Sequence, residues 1–193
     1  MKLNKNLESL YLSNNGKLNI DCLSFSSMTE LKWFFEQMTI LDLSNNQFTK
    51  ISSLKYYIKL SYLYLENNFI DDISSLSNIK QIKHLDINEN RIKIFEPIKD
   101  LKYLRWLNLN KNEIENILSN LNNLRNLKLS RNKIKFISNE IFDNLKYLNW
   151  LDLSYNSIKK IYSLEMFVEQ KLKELDLSNN LIENVQFLAN FKS

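Results

Sequence analysis

Apolar and polar positions alternate in short stretches that recur along the whole chain. In one such stretch Leu63 and Leu65 flank Tyr64, and the same leucine-x-leucine core, with isoleucine as an occasional replacement, returns many times. Alternation with a period of two is typical of a strand that is buried on one face only. The pattern therefore predicts short strands whose leucines face a core and whose intervening side chains face solvent.

Each strand core belongs to a longer motif, L-x-x-L-x-L-x-x-N-x-I, which occurs eight times with apolar replacements. Successive copies start 20 to 24 residues apart, except for a first step of 31. A period of this length is the sequence signature of a solenoid, in which each unit buries its apolar face against its neighbours. The first positions of the eight copies are Leu7, Met38, Leu60, Ile82, Leu104, Leu124, Leu148 and Leu172.

The ninth position of the motif is an asparagine in all eight copies, from Asn15 to Asn180. We expect these side chains to hydrogen-bond the backbone where each strand turns away from the sheet. Stacked repeats would then place the asparagines in a ladder that satisfies buried polar groups.

The motif resembles the leucine-rich repeat family, and the resemblance covers essentially the whole chain. The 22-residue units, such as 60–81, are similar to the subclass shared by SDS22-like phosphatase regulators and bacterial internalins. The resemblance implies an α/β fold, a right-handed solenoid with a curved parallel sheet on its concave face and short helices or irregular segments on its convex face. We expect a single domain over 1–193 with about eight repeats.

The long first step indicates an insertion between the first two repeats. Ser27 and Glu30 have the spacing of a helix capping box. Apolar residues follow at intervals of three and four, which places them on one face of a helix: Leu31, Phe34, Phe35 and Met38. The sequence predicts a helix on the convex side over about 28–37.

The outward strand positions form the candidate functional surface, because the leucines are committed to the core. The residue before the second leucine of each motif is unusually aromatic, including Tyr62, Trp106 and Trp150, and His84 lies in the same column. Exposed tryptophan and tyrosine on a rigid surface are typical of protein-binding hot spots. The alternative is that these rings only pack on one another along the sheet. We predict that Trp106 and Trp150 anchor a partner within a concave protein-binding surface made of Tyr11, Ile40, Asp42, Tyr62, Tyr64, His84, Asp86, Trp106, Asn108, Lys128, Trp150, Asp152, Tyr155 and Asp176.

Charge indicates what kind of partner this surface suits. The chain carries a formal net charge of +4, but the outward positions three, five, seven and eight of the eight motifs hold seven acidic and three basic residues, a net −4. Nucleic-acid binding requires a basic surface matched to phosphates, so no nucleic-acid partner is expected. The predicted partner is another protein with basic and apolar patches.

Composition excludes most catalytic chemistry. The chain has one glycine, one cysteine (Cys22) and one histidine, so Gly-rich phosphate loops, internal disulfides and zinc sites with several Cys or His ligands are not expected. The sequence predicts no enzyme, no cofactor and no metal. A remote alternative is a general base or a weak metal site around His84 and Asp86.

The predicted function is non-catalytic protein–protein interaction, as an SDS22-like regulatory or scaffolding subunit or, alternatively, as an internalin-like adhesion or effector module. The single cysteine and an N-terminus without the apolar core of a signal peptide favour a cytoplasmic or otherwise intracellular location. No apolar run approaches the roughly 20 residues of a membrane span. At the C-terminus we expect a minimal cap from Val185, Phe187, Leu188 and Phe191; self-association through uncapped ends and a longer parent protein are the alternatives.

Overall fold

The structure is a computed structural model, and it describes residues 6–16, 18, 35–117, 121–137, 145–161 and 172–184. Within these residues eight strands form one parallel sheet in the order β1-β2-β3-β4-β5-β6-β8-β10. A second sheet pairs β7 with β9. The strands are β1 (Ser9–Tyr11), β2 (Ile40–Asp42), β3 (Tyr62–Tyr64), β4 (His84–Asp86), β5 (Trp106–Asn108), β6 (Asn126–Lys128), β7 (Phe136–Ile137), β8 (Trp150–Asp152), β9 (Lys160–Ile161) and β10 (Glu174–Asp176).

Every strand of the main sheet begins two residues after a first position of the motif. The central leucine of each strand points into the core, and Leu41, Leu63 and Leu85 are completely buried. Each pairs in register with the leucine of the next strand, so identical positions stack along the solenoid. The alternation of the sequence therefore explains both the burial of the leucines and the outward direction of their neighbours.

In the second to fourth repeats the convex side is built from 3₁₀ helices over Ser52–Tyr56, Ser74–Asn78 and Glu96–Ile98. Buried apolar residues recur there every third position, as in Ile51, Leu54 and Tyr57. A 3₁₀ helix has three residues per turn, so this spacing places them on one face. The expected solenoid with a parallel sheet on one side and short helices on the other is confirmed.

The asparagine ladder is also present. Asn68 donates from Nδ2 to the carbonyl of Leu65 in its own repeat (3.0 Å) and of Leu43 in the preceding repeat (3.1 Å). Its Oδ1 accepts the backbone N–H of Phe48 (3.0 Å). Each asparagine thus joins two repeats, and the same contacts recur at Asn46, Asn90, Asn112, Asn132, Asn156 and Asn180.

Of the predicted insertion helix, the structure describes residues 35–37, which are helical. Phe35 and Met38 are buried, as expected for its apolar face, and the Phe35 ring lies 4.8 Å from that of Tyr57. The remainder of the predicted helix, Cys22 and the proposed C-terminal cap from Val185 onward lie outside the described residues.

Candidate protein-binding surface

Two columns of outward side chains cross the concave sheet. Strand pairing places the first residue of each strand beside the first residue of the next, so that Tyr62, His84 and Trp106 are consecutive neighbours. The third residues form the second column in the same way. The first column is Ser9, Ile40, Tyr62, His84, Trp106, Asn126, Trp150 and Glu174, and the second is Tyr11, Asp42, Tyr64, Asp86, Asn108, Lys128, Asp152 and Asp176.

At the middle of the sheet, four rings form what we call the aromatic stack: Tyr62, Tyr64, His84 and Trp106. The imidazole of His84 lies parallel to the Trp106 ring, with ring centres 3.9 Å apart and planes inclined by 5°. On its other side the Tyr64 and Tyr62 rings lie 5.2 and 6.0 Å away. His84 of β4 therefore has aromatic neighbours from both adjacent strands, β3 and β5.

The environment of His84 disfavours its charged form. Burial among the rings lowers the pKa of His84 below its ordinary value of 6.5, and the nearby Asp86 carboxylate only partly opposes this effect. A neutral imidazole is thus the stable form at neutral pH, which suits stacking on Trp106.

Lys128 occupies the space between the two concave tryptophans. Its Nζ lies 5.7 Å from the centre of the Trp106 ring and 4.8 Å from that of Trp150. These are cation–π distances, and within the described residues no ion pair joins Lys128 to a carboxylate. Trp106 consequently has His84 on one side and Lys128 close by, whereas Trp150 keeps more of its surface open.

The predicted residues differ in accessibility. Tyr11, Tyr62 and Trp150 are exposed, at 63, 41 and 37% of their surface, and so are Tyr155 and Asp176. The half-buried ones are Ile40, Asp42, Tyr64, His84, Trp106, Lys128 and Asp152. The rings therefore fall into two groups: His84 and Trp106 pack on one another, while Tyr62 and Trp150 present free surface.

Asp86 and Asn108 are the two predicted residues that the structure buries, to 8 and 9% exposure. The Asp86 carboxylate accepts hydrogen bonds from the backbone N–H (3.2 Å) and the side-chain amide (2.6 Å) of Asn88. It also accepts a longer one from the Asn108 amide (3.4 Å). These groups are used within the sheet, so they support the surface and offer little of themselves to a partner.

The recurring aspartates of the second column shape the ends of their strands. Asp42 accepts the N–H of Ser44 (2.9 Å), Asp152 that of Ser154 (3.0 Å) and Asp176 that of Ser178 (2.9 Å). This local bond from an aspartate to the residue two positions later is a common turn device. The repeated Leu-Asp-Leu-Ser strings are therefore explained by the scaffold.

A third row of side chains, which we call the ridge, follows the strands. Its members precede the motif asparagines and all have positive φ, between 51° and 62°: Asn14, Asn45, Asn67, Glu89, Lys111, Arg131, Tyr155 and Asn179. Asparagine tolerates this conformation, but larger side chains rarely adopt it. Four consecutive repeats nevertheless place charged or aromatic side chains there.

Ridge residues of adjacent repeats interact with one another. Lys111 Nζ lies 2.6 Å from Glu89 Oε1, and the Arg131 guanidinium lies 4.3 Å from the centre of the Tyr155 ring. The binding residues predicted from the sequence include Tyr155 but not Glu89, Lys111 or Arg131, which entered only the charge count of the outward positions. The signal that could have found them is their shared place before the motif asparagine.

Three family models match the chain. They are a leucine-rich repeat model over residues 122–182, a model of two leucine-rich repeat copies over 36–78 and a further leucine-rich repeat model over 6–28. The chain belongs to the leucine-rich repeat family. Among curated proteins no significant match was found.

Solved structures of the family confirm this fold. The structure of internalin C2 from Listeria monocytogenes matches with a TM-score of 0.81 and 27% identity, covering 96% of this chain and 77% of that one. A leucine-rich repeat protein of Leptospira interrogans matches with a TM-score of 0.70 and 28% identity, over 77% of this chain and 40% of that one. The leucine-rich repeat fold implies a protein–protein interaction module, and members of the family are typically non-catalytic.

The described residues of this leucine-rich repeat chain contain neither a candidate metal site nor a candidate membrane span. No group of three or more His, Cys, Asp or Glu side chains there is arranged to hold a metal ion. No helix there has the length and apolar character needed to cross a membrane. Around His84, the described geometry shows ring stacking, with Asp86 buried in its own hydrogen bonds.

Proposed function

We propose that this leucine-rich repeat protein is a non-catalytic binding module that holds a protein partner on its concave face. The observation that carries the proposal is the row of aromatic side chains in register across the sheet, with Tyr62 and Trp150 exposed at its two sides. Rings held by neighbouring strands lose little conformational freedom on binding, so they contribute affinity at low entropic cost.

The partner should meet both aromatic and charged groups. Its apolar side chains would cover Tyr62 and the open side of Trp150, as hot-spot residues do at the centre of an interface. Basic side chains would face the acidic positions, which outnumber the basic ones on this face. Asp86 and Asn108 keep a supporting role in this proposal, because both are buried.

The test is affinity capture from native lysate, followed by mass spectrometry. The first variant, Trp106→Ala/Trp150→Ala, removes both tryptophans of the concave face. The second, Tyr62→Ala/Trp150→Ala, leaves the contact between His84 and Trp106 in place. Circular dichroism first establishes that each variant is folded. We expect both variants to lose a partner that the wild-type chain retains.

A matched control comes from the same two repeats that supply the tryptophans. Tyr103 and Tyr147 are exposed at 51 and 59% and lie just before the first motif position, outside both concave columns. The Tyr103→Ala/Tyr147→Ala variant should capture the partner as the wild type does. Loss of the partner in this control but not in the tryptophan variants would move the binding site away from the concave face.

Two roles fit this proposal, an SDS22-like regulatory or scaffolding subunit and an internalin-like adhesion or effector module. The likeness to internalin C2 over 96% of the chain supports the second. Location distinguishes them: an antibody should reach an adhesion module on intact cells, but it should reach a regulatory subunit only after permeabilisation.

A further inference from the structure

The charges of the concave face are segregated along the solenoid. The charges are compared at four positions of each motif: the two columns, the ridge and the position just before the ridge. At these positions the second to fourth repeats carry acidic side chains only: Asp42, Glu66, Asp86 and Glu89. The fifth and sixth repeats carry basic side chains only: Lys111, Lys128 and Arg131. The seventh and eighth return to acidic ones: Asp152, Glu174 and Asp176. We call these sets the first acidic band, the basic band and the second acidic band.

The structure keeps these charges close enough to act together. In the first acidic band, burial raises the pKa of Glu66, and the carboxylates of Asp86 and Asp42 raise it further. The Asn88 amide opposes the increase through a hydrogen bond. The protein therefore concentrates negative potential around Glu66, while Glu89 at the edge of the band is paired with Lys111.

In the basic band, one of the three side chains is paired with a carboxylate within the described residues. Lys111 pairs with Glu89 at the boundary between the bands. Lys128 and Arg131 instead lie over the rings of Trp150 and Tyr155, at 4.8 and 4.3 Å, and neither forms an ion pair within the described residues. Their positive charges remain available to an incoming carboxylate.

We propose that the concave face binds one extended polypeptide segment whose charges run basic, acidic, basic along the solenoid axis. This inference rests on the proposed function and specifies the partner. The strands are three residues long, so the strip they form is about 10 Å wide, which suits a single chain. From β2 to β10 there are seven strands in the sheet order, which at about 4.8 Å per step span about 29 Å. An extended chain covers that distance in about nine residues.

The probe is a capped ten-residue peptide with three lysines, a glycine, two glutamates, a glycine and three lysines. In an extended form its blocks match the three bands, and its symmetry makes either chain direction equivalent. The control peptide has the same composition with both glutamates moved to one end, so that it tests charge order at constant net charge. Titrations are followed by NMR at low salt through the tryptophan indole N–H signals, which are assigned with Trp→Phe variants.

We expect the ordered peptide to shift the signals of Trp106 and Trp150 and to bind about tenfold more tightly than the permuted one, since each exposed charge pair contributes a factor of roughly 1.5 to 5. In the Lys128→Gln/Arg131→Gln variant this preference should fall to less than about twofold. The Lys159→Gln/Lys160→Gln variant, which removes two exposed positive charges outside both columns and the ridge, should keep it. If the double concave variant does not fold, Arg131→Gln alone should reduce the preference.

Equal affinity for the two peptides, no detectable binding of either at millimolar concentration, or an equal loss of preference in the Lys159/Lys160 control would overturn the inference. These outcomes are distinct from failure of the proposed function. If the natural partner is lost with Trp106→Ala/Trp150→Ala while the peptides are not distinguished, concave binding stands and the charge order is wrong. If the tryptophan variants keep the partner, the proposed function itself fails.

Discussion

The two sides of the concave face hold their aromatic rings in different ways. Across β3, β4 and β5, rings pack on rings, with His84 and Trp106 stacked at 3.9 Å. Across β6 and β8, a cation from Lys128 lies over the Trp150 ring at 4.8 Å instead. The first arrangement excludes water from part of each ring, whereas the second leaves both partners accessible. The same repeated position can therefore stabilise the fold in one repeat and remain available for binding in another.

The supporting core differs along the same direction. In the central repeats the strand leucines, such as Leu63 and Leu85, are completely buried. In the last described repeat, Leu175 and Leu177 are half-buried. A solenoid repeat draws its core from both neighbours, so positions with the same sequence should not contribute equally to stability.

The largest effect should come from the asparagine ladder. Asn90→Ala leaves the buried N–H of Ile70 without its side-chain acceptor and removes one of the two asparagine donors to each of the carbonyls of Leu65 and Ile87. We expect a loss of about 3 kcal/mol in the free energy of unfolding. Asn180 makes the equivalent contacts in partly buried surroundings, where water can replace them, so Asn180→Ala should cost about 1 kcal/mol. Urea denaturation measures both, and equal losses would show that burial does not separate the two ends.

The next effect compares the two ways of holding a ring. His84→Ala removes a stacked, half-buried ring and should cost about 1.5 kcal/mol. Lys128→Ala removes a partly exposed cation–π contact and should cost about 0.5 kcal/mol. Chemical denaturation of the two variants beside the wild type gives the comparison directly. A greater loss of stability for Lys128→Ala would contradict the assignment of packed rings to the side of β3 to β5 and accessible rings to the side of β6 and β8.

A pH dependence of stability should mark the side of the concave face that holds His84. Because the folded protein holds the pKa of His84 below its ordinary 6.5, protonation favours the unfolded chain. The stability that neutral His84 contributes is complete above pH 6.5 and is lost as the pH falls through the lower, folded-state pKa. Between pH 7 and pH 5 the free energy of unfolding of the wild type should therefore fall relative to that of the His84→Phe variant. This fall should be smaller than the loss of stability caused by His84→Ala. A constant difference between the two proteins over this range would contradict the prediction.

The smallest effect should come from the ridge. The Lys111–Glu89 ion pair is about half exposed, at 52 and 42%, and exposed pairs contribute little to stability. Lys111→Gln should change the free energy of unfolding by less than about 0.5 kcal/mol. The measurement is again a denaturation curve, at low and at high salt. A change above 1 kcal/mol would mean that the ridge stabilises the solenoid beyond its surface charges.

The candidate surface could be predicted from the sequence only in part. The repeat period placed Tyr62, His84, Trp106 and Trp150 in one column, and the strand register confirms that column. The period did not predict that Asp86 and Asn108 would be buried at positions of the same type as exposed Asp176. Burial at such a position depends on the length and hydrogen bonding of the neighbouring side chains, which the motif leaves free.

The alternating leucines and the repeated asparagines by themselves determined the fold, because each motif repeats the same burial requirement and the same backbone hydrogen bonds. Only the tertiary structure decided which outward residues touch. The stack of His84 on Trp106, the position of Lys128 between two tryptophans and the pairing of Lys111 with Glu89 join residues about 20 or more positions apart. Such contacts depend on side-chain rotamers and repeat-to-repeat distances, and these are set when neighbouring repeats pack.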